Sequence, residues 1–185
     1  MKDEVLKDLK AKMEKTIEVF KHELARMRTG RASVSLFDGI KVDYYGSMLP
    51  LNQVASLTVP EPRLITIQPW DTNALANIER AILKSELGLT PANDGKIIRM
   101  AIPPLTEERR KEIVKLVKKT TEEYRVILRN IRRDANEELK GLKKEKIISE
   151  DESFAVQEEV QKITDNYIKK VEQLYAEKEK EILAF

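Results

Sequence analysis

Arg129-Asn130-Ile131-Arg132-Arg133-Asp134 decides how this chain folds. The stretch lies inside a helical pattern that starts near Thr106 and runs past Leu142. Ile113, Val117, Thr120, Tyr124, Ile127, Leu128, Ile131, Ala135 and Leu142 recur there at steps of three and four, as one apolar stripe of an α-helix. With Ile131 at zero and about 100° per residue, Arg125, Arg129, Arg132 and Arg133 fall at roughly 120°, 160°, 100° and 200°. Lys115, Lys118 and Lys140 share that sector, and between residues 115 and 140 Glu122 is its only acid, because Asp134 and Glu137 point elsewhere. Ordinary solvated helix faces mix charge signs at i,i+4 spacing. This face separates them and favours arginine, whose planar donor fork suits phosphate. The helix is therefore expected to bury one face and offer a nearly uncompensated cationic face to a phosphate backbone.

Working outward, two more stripes flank this one. Val5, Leu9, Met13, Ile17, Phe20, Leu24 and Met27 mark a first long helix from residue 2 to about 28, ended by Thr29-Gly30 with Gly30 as a left-handed cap. Ser149-Glu150-Asp151-Glu152 reads as a capping box for a third, with Val156, Val160, Ile163, Tyr167, Val171, Leu174 and Ile182 as its stripe. None of the three can bury its stripe alone, so a three-helix bundle follows.

Between the first two helices the texture changes. All seven prolines and every glycine except Gly141 lie between residues 30 and 104. Ile40–Tyr45, Asn52–Val59, Leu64–Gln68 and Ile97–Ile102 read as extended, and Ala74–Leu87 as a helix stopped by Gly88. Trp70, beside a strand end, reads as a core anchor of this module. The fold class is thus two-domain α+β. Residues 1–30 and 105–185 form the discontinuous bundle and 31–104 a small inserted α+β module, with hinges near 29–31 and 102–105 at Gly30, Pro103 and Pro104. A second basic group, Arg28, Arg31, Arg109 and Arg110, gathers at those joints. Arg132 stands roughly 39 Å along its helix from Thr106.

Composition narrows the function. The 185 residues are 36% charged with a net charge of only +2, so the chain is no polycation. The excess is local: residues 105–145 carry 13 basic and 9 acidic side chains, residues 146–185 carry 6 and 10. Aromatics are 5%, too few for single-strand recognition by stacking. No cysteine and one histidine, His22, leave no nucleophile–base constellation, thiolate metal site or disulfide. No P-loop glycine pattern occurs. No catalytic residue, metal or cofactor is expected. A reducing, cytoplasmic location fits, with no membrane-length apolar run and no signal-peptide pattern at Met1-Lys2-Asp3-Glu4. A helical adapter with a protein partner is the competing reading, and binding that weakens steeply with salt separates the two.

Ordered motifs then give a resemblance over essentially the whole chain. Met27-Arg28-Thr29-Gly30-Arg31-Ala32, Val42-Asp43-Tyr44-Tyr45-Gly46, Pro50-Leu51-Asn52-Gln53, Pro69-Trp70-Asp71, Leu87-Gly88-Leu89, Pro103-Pro104-Leu105-Thr106-Glu107-Glu108-Arg109-Arg110 and Arg129–Arg133 resemble the bacterial ribosome-recycling factor family. The resemblance implies an L-shaped, transfer-RNA-like monomer that binds the post-termination ribosome between its subunits. With elongation factor G and GTP it would split that ribosome, hydrolysing nothing itself. It also implies large-subunit rRNA contacts on the bundle, with Arg129 and Arg132 at matching positions, and a small module facing the elongation factor. Thr90 and Leu64 depart from residues frequent in the family.

Overall fold

The computed structural model describes residues 1–27 and 29–184. In chain order the elements are α1 (Lys2–Arg26), β1 (Lys41–Tyr44), β2 (Ser47–Pro50), α2 (Leu51–Val54), β3 (Ala55–Glu61), β4 (Leu64–Pro69), α3 (Leu75–Lys84), β5 (Ala92–Asn93), β6 (Ile98–Ala101), α4 (Glu107–Lys144) and α5 (Glu150–Leu183). Contacts divide the described chain into two compact units, Met1–Thr29 with Glu107–Ala184, and Gly30–Thr106.

The first unit is a bundle of α1, α4 and α5. The buried face of α1 is Val5, Leu9, Met13, Ile17, Phe20 and Leu24. That of α4 is Ile113, Val117, Thr120, Thr121, Tyr124, Leu128, Ala135 and Leu139. Thr121 and Thr164 sit inside the core because each hydroxyl donates to the carbonyl one turn back, Val117 and Val160, at 2.7 Å. The Phe20 and Tyr124 rings pack at 4.8 Å, and the Tyr124 phenol donates to Glu23. Burial first, then Glu23, pushes the Tyr124 pKa up to about 12. Tyr167 of α5 donates to Glu14 of α1 at 2.8 Å.

Details of the α4 stripe differ from the sequence reading. Ile127 is 41% exposed, whereas Leu139, outside the expected set, is fully buried. The buried seam is centred on Tyr124–Leu128, so Ile127 falls off its edge and Leu139 returns to its middle three turns later. The end of α1 also differs. The helix stops at Arg26, with Met27 extended and its N–H on the Leu24 carbonyl, so Gly30 is not its cap. Gly30 is still left-handed (φ 77°), and a Cβ there would in addition stand 3.0 Å from Leu105 Cγ.

α4 and α5 are joined by a tight reversal. The Ile147 amide donates to the Leu142 carbonyl at 2.9 Å and the Lys146 amide to that of Lys143 at 3.0 Å. This is a Schellman termination, in which the C′ residue is left-handed and is usually glycine. Here it is Lys146, at φ 60°. The capping box forms as expected, with Ser149 Oγ on the Glu152 amide at 3.1 Å and Glu152 Oε2 on the Ser149 amide at 3.0 Å. Lys146→Gly is expected to stabilise the bundle by about 0.5–1 kcal/mol, since a Cβ in this region costs ~1–2 kcal/mol and glycine's extra chain entropy returns part of it. Urea unfolding midpoints check this. An unchanged or lower midpoint refutes it.

The second unit carries a β1–β2 hairpin and a four-stranded antiparallel sheet in the order β3-β4-β6-β5. Ile65 and Ile67 of β4 lie opposite Met100 and Ile98 of β6, and all four are fully buried. Leu75, Ile78 and Ile82 of α3 complete that core. Residues 52–54, expected as the start of a strand, belong instead to one helical turn, Leu51–Val54, because Leu51 and Val54 point the same way into the core at i,i+3 spacing. The β2 strand, unread in the sequence, is an edge strand that ends in Pro50. α3 stops at Lys84, before Gly88, because Ser85 turns extended and bonds back to the Ile82 carbonyl through amide and hydroxyl. Trp70 is not a core anchor: it follows the last residue of β4 and is 68% exposed.

Candidate nucleic-acid interface

The α4 hydrogen-bond ladder holds Arg125, Arg129, Arg132 and Arg133 within about two turns, roughly 12 Å of helix axis. The seam that fixes α4 against its neighbours passes through Tyr124, Leu128 and Ala135, so these arginines emerge along one flank. Arg125 and Arg132 lie nearest the seam and are half-buried, with stems along the bundle. Arg129 and Arg133 are exposed.

The face is less uncompensated than its sequence suggests. Glu122 accepts from Arg125 at 3.0 Å and from Arg129 at 3.2 Å. The Arg125 hydrogen bond, with the Arg129 charge behind it, holds the Glu122 carboxyl below its ordinary range. Glu172 of α5 lies 3.7 Å from the other Arg125 nitrogen. Arg132 donates to Gln161 Oε1 at 3.2 Å. Arg133 makes none of the hydrogen bonds or ion pairs found among the described residues. Arg125 is therefore largely committed within the protein, and Arg129, Arg132 and Arg133 remain to bind an anion. These contacts, one carboxylate spread over two guanidiniums and a neutral amide on a third, can be exchanged for phosphate at small cost, because exposed pairs contribute little. Asp134 and Glu138 act on Lys12 of α1, away from the arginine flank.

Sequence reasoning missed Gln161 and Glu172. The pairs Arg132–Gln161 and Arg125–Glu172 step back seven residues on α4 and forward eleven on α5. Both intervals return a side chain to nearly the same helix face, which is the signal an antiparallel α4–α5 pairing leaves in the sequence.

The second basic group is divided between the two units. Arg28 lies outside the described residues. Arg31 belongs to the sheet unit, and Arg109 and Arg110 to the bundle. Arg109 donates to Glu112 at 2.7 Å, and Arg110 Nε is buried without a hydrogen bond. His22 is exposed. Among the described residues no carboxylate or histidine group could hold a metal ion, and no helix is long and apolar enough to cross a membrane.

The chain as a whole is similar to known proteins. A family model described as "Ribosome recycling factor" matches residues 20–183. The ribosome-recycling factor of Desulfosudis oleivorans is 60% identical over 97% of this chain and 97% of its own. That of Carboxydothermus hydrogenoformans is 56% identical over 100% of both. A solution structure of ribosome recycling factor superposes with a TM-score of 0.78 at 46% identity, covering 100% of this chain and 98% of that one. A second similar structure, with a TM-score of 0.65 and 50% identity over 99% of both chains, is described as T. thermophilus ribosome recycling factor with E. coli elongation factor G on the E. coli post-termination complex.

Proposed function

This chain belongs to the ribosome-recycling factor family, and we propose from that premise that Arg129, Arg132 and Arg133 are its contacts to large-subunit rRNA. The protein is a translation factor: it binds the post-termination ribosome and, with elongation factor G and GTP, promotes its separation into subunits. The observation that supports the RNA contact is three available guanidiniums on one flank of α4, with Glu122 the single acid among them. Arg125 supports the surface from behind, and Arg31, Arg109 and Arg110 form a secondary basic contribution at the joints, with Arg28. The factor is no enzyme in this reading. It acts in the cytoplasm as a monomer, and the GTP hydrolysis belongs to its partner.

Splitting of purified ribosomes, with and without elongation factor G, tests the function. Binding at graded salt tests the interface. Three phosphates neutralised give log–log slopes of roughly −2 to −3, from about −0.7 to −0.9 per phosphate. A flat plot favours the protein-adapter reading.

The hinge belongs to the same proposal. Residues 1–30 and 105–185 would move as one domain and 31–104 as the other, turning at 29–31 and 102–105. The left-handed Gly30 supports this, together with Pro103 and Pro104, which cannot extend either flanking element. Spin-label distances between α3 and α5 should change on ribosome binding. One narrow, unchanged distance rules the hinge out as a working joint.

A further inference from the structure

We infer that the tip of the β1–β2 hairpin, with Trp70 and Asp71 after β4, is a docking surface for an arginine-bearing segment of a protein partner. Tyr45 is 74%, Trp70 68% and Met48 61% exposed, the three most exposed large apolar side chains of the sheet unit. Rigid exposed aromatics of this kind are the anchors that dominate protein interfaces.

The surface is built before any partner arrives. Tyr45 and Gly46 form a two-residue hairpin turn with both φ positive, 49° and 84°. Tyr45 donates to Asp71 Oδ2 at 2.8 Å, and Tyr44 reaches the same oxygen at 3.4 Å. The two tyrosine rings meet edge-on at 4.6 Å. Asp71 Oδ1 accepts from the Asn73 amide at 2.9 Å, and Asp43 Oδ1 from the Gly46 amide at 3.0 Å. Asp43 pairs with Met48 across the hairpin. Tyr44, Tyr45 and Asp71 therefore keep little side-chain freedom for a partner to remove.

Charge decides what that partner is. No lysine or arginine stands between residues 42 and 62 or between 64 and 79. Lys41 is at the far end of the hairpin, opposite Pro50. The Asn73 amide and then Tyr45 hold the Asp71 carboxyl below its ordinary range, so it is charged at neutral pH. Two carboxylates that make no ion pair among the described residues repel a phosphate backbone, so the rings do not serve as a base-stacking platform. A guanidinium fits both features, its plane lying on an indole or phenol face and its edge donating to a carboxylate. This surface uses none of the bundle residues assigned to RNA, and the two assignments stand or fall separately.

Trp70 is the only tryptophan, so the full chain made with 5-fluorotryptophan has a single fluorine resonance at this surface. It is titrated with the capped peptide Gly-Arg-Gly-Arg-Gly, with the lysine and glutamate versions, and with a uridine hexanucleotide. The arginine peptide should give a saturable shift with a dissociation constant on the order of 1 mM, about three- to tenfold tighter than the lysine peptide. Tyr45→Ala and Asp71→Asn should each weaken it about three- to tenfold. Asparagine still caps the turn after Asp71. Arg132→Glu should leave the titration unchanged. No shift with the arginine peptide, or an equal shift with the glutamate peptide or the hexanucleotide, overturns the inference.

Discussion

Arg132→Glu abolishes ribosome splitting and leaves the fold in place: that is the expected result for the residue nearest the bundle seam on the arginine flank. A charge-assisted contact to phosphate contributes about 1.5–3 kcal/mol, roughly 10- to 150-fold in binding, and a carboxylate in its place adds repulsion. Arg132→Ala should show the loss without the repulsion. The folded protein itself gives up only a half-exposed hydrogen bond to the neutral Gln161, so stability should fall by no more than about 1 kcal/mol. Asp134→Ala, two residues on and turned toward Lys12, is the control and should be mild. Thermal melting, ribosome affinity and splitting are measured on all three. Normal affinity and splitting in Arg132→Glu, or loss only through unfolding, removes this flank as the RNA site.

The largest effect on stability is expected from Phe20→Ala. Phe20 is fully buried, faces Tyr124 across the α1–α4 seam, and lies one turn before Glu23, which accepts from the Tyr124 phenol. Truncation removes the apolar contact and leaves a cavity beside a part-buried polar pair, at a cost of about 3–5 kcal/mol. The helical signal should melt ten degrees or more lower, at about 4–8 °C per kcal/mol for a unit of this size. Val19→Ala, next in sequence but 47% exposed, should change little. A Phe20→Ala protein within about 1 kcal/mol of the parent by urea unfolding means the seam repacks freely.

How much of this was legible in the sequence depended on whether the signal was local. The bundle helices repeat one apolar step over many turns, so α1, α4 and α5 were readable and the Ser149 capping box placed the start of α5. The reversal at Lys146 was not, because a lysine carries no left-handed signature. In the sheet unit the signals are short: Leu51–Val54 alternates too briefly to tell a helical turn from a strand. Trp70 misled for a different reason. Its size argues for burial, and only the pairing of Ala55 with Pro69 shows that β4 has ended before it. On the arginine flank the residue types were readable from a helical wheel. Their neutralisation by Glu172 and their contact with Gln161 depend on how α5 is set against α4, which no single-helix wheel contains.

The separation of α1 from α4 in the chain governs how this protein can be made. α1 ends at Arg26 and α5 at Leu183, so the first helix leaves a translating ribosome about 160 residues before the last of its partners. At about 5–20 residues per second that is roughly ten to thirty seconds with Leu9, Met13 and Phe20 unsheltered. The sheet unit is synthesised during that interval and can close its own core, which replaces a long floppy loop between α1 and α4 by a folded spacer and lowers the entropy of bringing them together. A factor that clears ribosomes for reuse thus closes its own bundle only once α5, the last helix the bundle needs, has been made.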